Sequence, residues 1–358
     1  MNSNPSVTIG GQAIGIDHPT YFIADIAANH DGDKNRAIEL IHLAAEAGAD
    51  VAKFQHFEAR SIVSDFGFKN LKSGMSHQET WSKSVFEVYE EASVDTSWTS
   101  DLAAACKDAG IGFFTSPYSP KIVDEVDPFV SAFKIGSGDI TWHEMIRAVA
   151  RKRKPYILAA GASTMDEVRE AVRVGLEINP ELALLQCNTN YTASLENFRH
   201  IQLRVLNAFS EEFPSLVLGL SDHTPGHSTV LGAVALGARI IEKHFTDDTS
   251  RSGPDHKFAM DSRTWREMVD RTRELELALG GETKRVEENE RETVVVQRRA
   301  TRVRRALEAG HVLVEEDLEF LRPCPAGSVE PYMASTIIGR VIKSSLPAGA
   351  EILWTNLV

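Results

Sequence analysis

Residues 217–246 read VLGLSDHTPGHSTVLGAVALGARIIEKHFT. Two short runs rich in branched aliphatics, Val217–Leu220 and Arg239–Lys243, flank a stretch with helical periodicity, the pattern of a strand–helix–strand unit in a parallel sheet. Each run leads into residues that a buried core does not choose: Ser221, Asp222 and His223 after the first, Glu242, Lys243 and His244 around the end of the second. The same grammar repeats upstream. Further β-rich runs fall at Tyr21–Ala27, Val51–Gln55, Gly112–Thr115, Ala132–Ile135, Tyr156–Ala159 and Leu182–Gln186, separated by longer helical stretches. Eight such units predict an α/β chain built as a (β/α)8 TIM barrel. An open doubly wound sheet fits the length and strand count less well, and no GxGxxG follows the first strand. Thr141 with Glu144, and Thr164 with Glu167, have capping-box spacing and are expected to start helices, while Gly48 and Gly110 stand where helices should stop.

The predicted barrel covers residues 1–282. Residues 283–300 are dense in Glu, Lys and Arg and read as a linker across the surface. From 301 to 358 short β-like pieces alternate with Gly and Pro, the pattern of a small β-rich domain whose own core is marginal and which is expected to lean on another surface.

Composition removes several function classes. A net charge of −13 argues against a general nucleic-acid binder, which needs a basic footprint. The longest apolar stretch, Thr229–Ile241, is too short to cross a membrane and contains Arg239. Cys106, Cys187 and Cys324 are scattered, odd in number and lack CxxC spacing, so neither a disulfide framework nor a thiolate zinc cage is indicated. With no signal-peptide pattern over Met1 to Gly11, a reducing cytoplasm is the expected location.

Polar residues at strand ends carry the functional signal. Strand 1 carries Asp25 and runs into Asn29 and His30; Lys53 and Gln55 lie in strand 2; Ser116 follows strand 3; Lys134 lies in strand 4 with Ser137 just after it; Asn188, Thr189 and Tyr191 follow strand 6. In a parallel barrel these ends share one mouth. His223 and His244 close adjacent strands, so their imidazoles could reach one catalytic cation with open coordination positions. Two hydrogen-bonding histidines are the plain alternative. Lys53 and Lys134, with the hydroxyls of Ser116, Ser137, Thr189 and Ser221, suit a phosphate ester; the structural alternative is a salt bridge to Asp25 or Glu242.

At ADIAANHDGD, VAKFQHF, FKIGSGDI, GLSDHTPGH, IIEKHFTDD and SGPDHKF the chain resembles the sialic acid synthase family, in order and over nearly its whole length. The resemblance implies a phosphoenolpyruvate-condensing barrel followed by an antifreeze-like (SAF) domain, in a domain-swapped homodimer. It implies Lys53, Ser116, Lys134, Ser137, Thr189 and Ser221 as phosphoenolpyruvate ligands, and His223 and His244 as ligands of a divalent metal, Mn2+ before Mg2+ or Co2+. Asp25, Glu242 and Lys53 are implied to be catalytic. Gln55, Tyr191 and Asp255 are implied to contact the amino-sugar aldehyde, with Arg322 reaching its acylamino group across the dimer. Four departures stand out: Asp25 replaces the family's glutamate, Ala159-Ala160-Gly161-Ala162 replaces STGM, Thr192 replaces a proline, and Arg322-Pro323-Cys324-Pro325 replaces an RPG turn.

The expected reaction joins phosphoenolpyruvate to an open-chain acetamido sugar, N-acetylmannosamine or a 2,4-diacetamido-trideoxyhexose, with C–O cleavage and phosphate release. Competing readings are a related synthase using a phosphorylated sugar, a metal-dependent hydrolase, and a carbohydrate- or ice-binding protein built on the small domain. The hydrolase reading lacks the usual HxH pair on strand 1, and the binding-protein reading leaves the polar strand ends unexplained.

Overall fold

A computed structural model describes residues 4–71, 78 and 81–358. The chain divides into two compact units, Met1–Gly280 and Gly281–Val358. The first opens with an antiparallel hairpin, β1 (Ser6–Ile9) and β2 (Gln12–Gly15). Eight strands follow: β3 (Tyr21–Asp25), β4 (Val51–His56), β5 (Gly112–Pro117), β6 (Phe133–Ile135), β7 (Tyr156–Ala159), β8 (Leu182–Cys187), β9 (Val217–Asp222) and β10 (Ile240–His244). All pair in parallel with their sequence neighbours, and β10 pairs with β3 to close the barrel.

The alternation of a strand decides what each residue faces. Tyr21, Ile23, Val51, Phe114, Ile157, Leu185, Val217 and Ile240 form the inner cluster, joined by Val7, Ile9 and Ile14 of the hairpin. Hydrophobic side chains of β1 and β2 thus seal the N-terminal end of the barrel. Phe22, Ala24, Ala52, Phe54, Phe133 and Leu184 belong to the other cluster, packed with helical residues such as Leu40, Ile41, Ile146 and Trp265. Burying each aliphatic of this kind stabilises by about 1.5–3 kcal/mol before entropy is counted.

Several strands run further than expected. β8, β9 and β10 include Cys187, Asp222 and His244, because backbone pairing continues through the polar ends: Cys187 registers with Ser221, Asp222 with Lys243 and His244 with Asp25. Thr164 caps the helix Met165–Leu176 with a complete capping box to Glu167. Thr141 does not cap its helix. The helix His143–Ala150 starts after Trp142, with no side-chain cap, so the Thr141–Glu144 spacing misleads by one position. Gly48 and Gly110 follow helices with φ of +94° and +76°, conformations that glycine adopts without Cβ strain.

In the second unit, β11 (Ala300–Val303) and β12 (Leu318–Leu321) pair antiparallel. Val303, Leu307, Leu313, Val329, Ile337, Ile342 and Ile352 form its core. The segment expected as a surface linker carries a 3-10 turn at Glu288–Glu290 and a helix at Arg291–Gln297. Its Val294-Val295-Val296 run is short enough to be masked by flanking charge when read for periodicity.

Candidate active site

Inward alternation brings charged groups into the C-terminal layer of the barrel. On β3 and β4, Asp25 and Lys53 are register partners, and Lys53 Nζ donates to Asp25 Oδ2 at 2.6 Å. Gln55 Nε2 donates to the same oxygen at 3.1 Å. Across the barrel, Lys134 Nζ donates to Glu242 Oε1 at 2.7 Å, and Ser221 Oγ to the same atom at 3.0 Å. Both salt bridges weighed from the sequence are therefore present. All four charged groups are almost fully buried, so each ion depends on its partner for the solvation it has lost. Burial works to raise the Glu242 pKa, but the fields of Lys134 and Lys53 and two hydrogen bonds bring it down to about 2. For Lys53, burial opposes the charge and the carboxylates of Asp25 and Glu242 overcome it, leaving the pKa raised.

The two histidines stand beside this layer with ring centroids 5.4 Å apart. Tyr191 and Phe258 pack against both rings. His223 Nδ1 lies 3.1 Å from the carbonyl of Asn188, to which it donates, leaving Nε2 as the lone-pair nitrogen. Burial drives the His244 pKa down to about 3, so this ring is neutral at physiological pH. Its Nδ1 is buried without a hydrogen-bond partner and its Nε2 is 3.6 Å from Asp25 Oδ2. For His223 burial also opposes charge, but the Cys187 sulfur and the Asn188 carbonyl outweigh it and the pKa is raised; a bound cation would have to displace that proton.

Buried Asp25 Oδ1 and Glu242 Oε2 likewise lack partners. Orphaned acceptors beside two imidazoles fit a divalent cation with His223 and His244 as protein ligands. Among the described residues no group of three His, Cys, Asp or Glu is arranged as a metal site. A closed cage of four protein ligands is therefore not what this arrangement offers.

A cavity of about 420 Å³ meets this layer at Gln55, Tyr191 and His244, while Asp25, Lys53, Lys134, Glu242 and His223 are not among its lining residues. Of the residues expected in the site, Gln55, Ser137, Thr189, Tyr191, His244 and Asp255 line it. Ser137 Oγ accepts from Gly161 N at 3.0 Å, and Thr189 Oγ1 is 3.7 Å from Cys187 Sγ, so two candidate phosphate hydroxyls sit against Gly161. Asp255 Oδ2 accepts from Ala28 N at 3.1 Å, and burial raises its carboxyl to about 6. Ser116 is buried at the end of β5 in register with Gln55. Arg322 belongs to the second unit, exposed and just after β12.

Two further findings were not anticipated. Asp139, in the turn after β6, lines the cavity with its pKa lifted to about 6 by burial. It lies in the quoted FKIGSGDI stretch, but nothing in that run separates a lining acid from a turn acid. Asp222 and Lys243 take no part in the mouth. They point outward, pair at 2.5 Å, and are tied to Thr224 and Thr229.

Buried lysines, carboxylates and imidazoles gathered at the C-terminal mouth of a parallel barrel define an enzyme-type (β/α)8 site, followed here by a small β unit. Residues 40–284 match the NeuB family and residues 298–358 match the SAF domain. The chain belongs to the NeuB family. It is 32% identical to N,N'-diacetyllegionaminic acid synthase of Legionella pneumophila over 364 residues, covering 100% of this chain and 99% of the relative. It is 31% identical to human N-acetylneuraminate-9-phosphate synthase over 277 residues, 77% of this chain and 76% of the relative. A crystal structure of N-acetylneuraminic acid synthetase from Leptospira borgpetersenii in complex with citrate superposes with a TM-score of 0.70 at 25% identity, covering 81% of this chain and 95% of that one.

Proposed function

We propose that the protein is a nonulosonic acid synthase that condenses phosphoenolpyruvate with an open-chain acetamido sugar. The observation that carries this reading is the pair of buried lysines, each held by a carboxylate, beside two histidines at the mouth of a ligand-sized cavity. Family membership supports it.

Lys53 and Lys134 supply point charges for the carboxylate and phosphate of phosphoenolpyruvate, and Ser116, Ser137, Thr189 and Ser221 supply hydroxyl donors. A divalent cation held by His223 and His244, Mn2+ in the first instance, contributes Lewis acidity toward the aldehyde oxygen when bound. Gln55, Tyr191 and Asp255 orient the sugar so that its C1 faces C3 of phosphoenolpyruvate. A C–C bond forms between these atoms as the C2–C3 π electrons move to C1 and the C1–O π pair moves onto the aldehyde oxygen, which takes a proton, in net terms one that water later gives up, to become a hydroxyl. Positive charge appearing at C2 lies next to Asp25 and Glu242, each hydrogen-bonded to its lysine partner. Water adds to C2, a carboxylate taking its proton, and the C2–O bond to phosphate breaks to leave a 2-keto acid and inorganic phosphate.

The test is phosphate release from phosphoenolpyruvate, with manganese, across unphosphorylated acetamido sugars. Release that depends on one of these sugars, with a new 2-keto acid formed in equal amount, is expected. Consumption of none of them refutes the proposal.

A further inference from the structure

Between β10 and the helix Ser262–Leu279 the chain makes a loop whose neck is closed by backbone bonds, from Thr246 N to the Met260 carbonyl at 2.9 Å and from Met260 N to the His244 carbonyl at 2.8 Å. The loop carries Asp255, which lines the cavity, and Phe258, whose ring packs on His244, His223 and Tyr191 with centroids 4.8, 5.8 and 5.2 Å away. His256 stands between these two site residues, and its side chain is fully buried. Its Nε2 is 2.9 Å from Asp31 Oδ1 and its Nδ1 2.7 Å from Thr246 Oγ1. A carboxylate only accepts, so Nε2–H donates to Asp31; in the neutral ring Nδ1 then accepts from the Thr246 hydroxyl.

Asp31 is the anchor outside the loop. Its Oδ2 accepts from Arg251 Nε and Nη2 at 3.0 and 2.7 Å and lies 3.1 Å from Arg36 Nε. Arg36 grips Asp247 through both terminal nitrogens at 2.7 and 2.5 Å. Asp247, Arg251 and His256 are thus all tied to residues 28–36, where Ala28 N also holds Asp255 Oδ2 at 3.1 Å. The imidazole fills the loop as well, since a Cβ at Gly253 would come within 2.7 Å of His256 Cδ2. The ties through Arg251 and Asp247 are partly exposed, and such pairs fix little in water. Those of His256 lie inside, where removing one partner strands the other. Asp255 adjoins the ring by a single peptide, so a shift of the ring moves the cavity acid.

Resting on the proposed synthase reading, in which Asp255 contacts the sugar, we infer that Asp31, His256 and Thr246 form a positioning chain that sets Asp255 for the acceptor. None of the three lines the cavity, so they act through Asp255 and not on the sugar. The proposed phosphoenolpyruvate ligands are bonded elsewhere, to Asp25, Glu242, Gly161 and Cys187, so the chain bears on one substrate only.

The experiment measures kcat and both KM values by phosphate release with manganese in the parent, His256→Phe, Asp255→Ala and the double variant. The sugar is N-acetylmannosamine or 2,4-diacetamido-2,4,6-trideoxymannose, whichever the parent turns over faster. His256→Phe keeps a buried ring and removes both bonds. It is expected to raise KM for the sugar at least about tenfold while KM for phosphoenolpyruvate stays within about twofold. Because His256 acts through Asp255, the double variant is expected to be no worse toward the sugar than Asp255→Ala alone. A fall in kcat with both KM values unchanged is what loss of folded protein gives, and it overturns the inference. Equal rises in both KM values, or additive losses in the double variant, overturn it too. If His256→Phe does not fold, Thr246→Val exchanges one hydroxyl for a methyl and carries the test: a several-fold rise in the sugar KM alone is expected, and no rise refutes the chain. An unchanged sugar KM in Asp255→Ala removes the contact on which the inference depends and overturns it while leaving the synthase reading intact. No sugar-dependent phosphate release by the parent overturns the synthase reading and the inference with it.

Discussion

Replacing Gly161 by alanine puts a methyl carbon 2.0 Å from Thr189 Oγ1, 2.8 Å from Ser137 Oγ and 3.1 Å from Cys187 Cβ. To reach an ordinary contact near 3.5 Å, the Thr189 hydroxyl must retreat by roughly 1.5 Å. Threonine is branched at Cβ and has no flexible arm, so the retreat requires a new rotamer or a backbone shift. The backbone of Gly161 is not in the left-handed region, so the substitution acts by bulk alone. Overpacking of this kind destabilises by about 1–3 kcal/mol. Its effect on turnover is larger, because displacing a binding group by about 1 Å can lower rates on the order of a hundredfold. If Thr189 and Ser137 hold the phosphate of phosphoenolpyruvate, Gly161→Ala should lower kcat/KM for phosphoenolpyruvate by about two orders of magnitude while the fold survives. Phosphate release measured against phosphoenolpyruvate concentration, with circular dichroism as the fold control, reads this out. Adding Thr189→Ala removes the shortest of these clashes, leaving the 2.8 Å approach to Ser137 Oγ, and should recover part of the stability but not activity. A folded Gly161→Ala protein with normal phosphoenolpyruvate kinetics would refute the placement of the phosphate at these hydroxyls.

Removing either imidazole should abolish high-affinity Mn2+ binding as well as turnover; calorimetric titration of His223→Ala and His244→Ala with Mn2+ checks this apart from catalysis, and unchanged binding in either variant argues against the shared site. Burial raises the Asp139 pKa from 3.8 in the unfolded chain to about 6. Between these values the unfolded state loses its proton first, so stability falls as pH rises and the full penalty is present above about pH 6. Asp139→Asn is therefore expected to be more stable than the parent at pH 7.5, by at most about 3 kcal/mol, and nearly equal to it below pH 4; thermal melts at both pH values test the sign. If the small unit completes a partner's site as the family resemblance implies, Arg322→Ala and Lys53→Ala proteins should regain activity on subunit exchange, and no recovery in verified heterodimers contradicts a swapped arrangement.

The barrel was legible because apolar runs recur with clear helical spacers, and each of its eight strands lies within a few residues of its expected position, whereas the hairpin Ser6–Ile9 and Gln12–Gly15 was not expected. The gathering of polar residues at the strand ends was legible as a set but not by direction. Asp222 and Lys243 look as site-like in sequence as Ser221 and Glu242, and only the two-residue alternation of the observed register sends one pair outward and the other inward. The cap at residues 141–144 was misplaced because Trp142, not a hydroxyl residue, precedes the first helical turn. The cavity wall was not legible at all. Val88 and Ala92 have the i, i+4 spacing of an ordinary buried helix face, and nothing local reveals that this face meets a cavity instead of a core.

The claim at the centre of this account is that the bond broken is C–O, after attack by C3 of phosphoenolpyruvate within the barrel mouth. Phosphoenolpyruvate labelled with oxygen-18 in the bridging position tests it directly by mass spectrometry of both products. The label is expected in inorganic phosphate; its retention in the sugar acid would show P–O cleavage and contradict the mechanism.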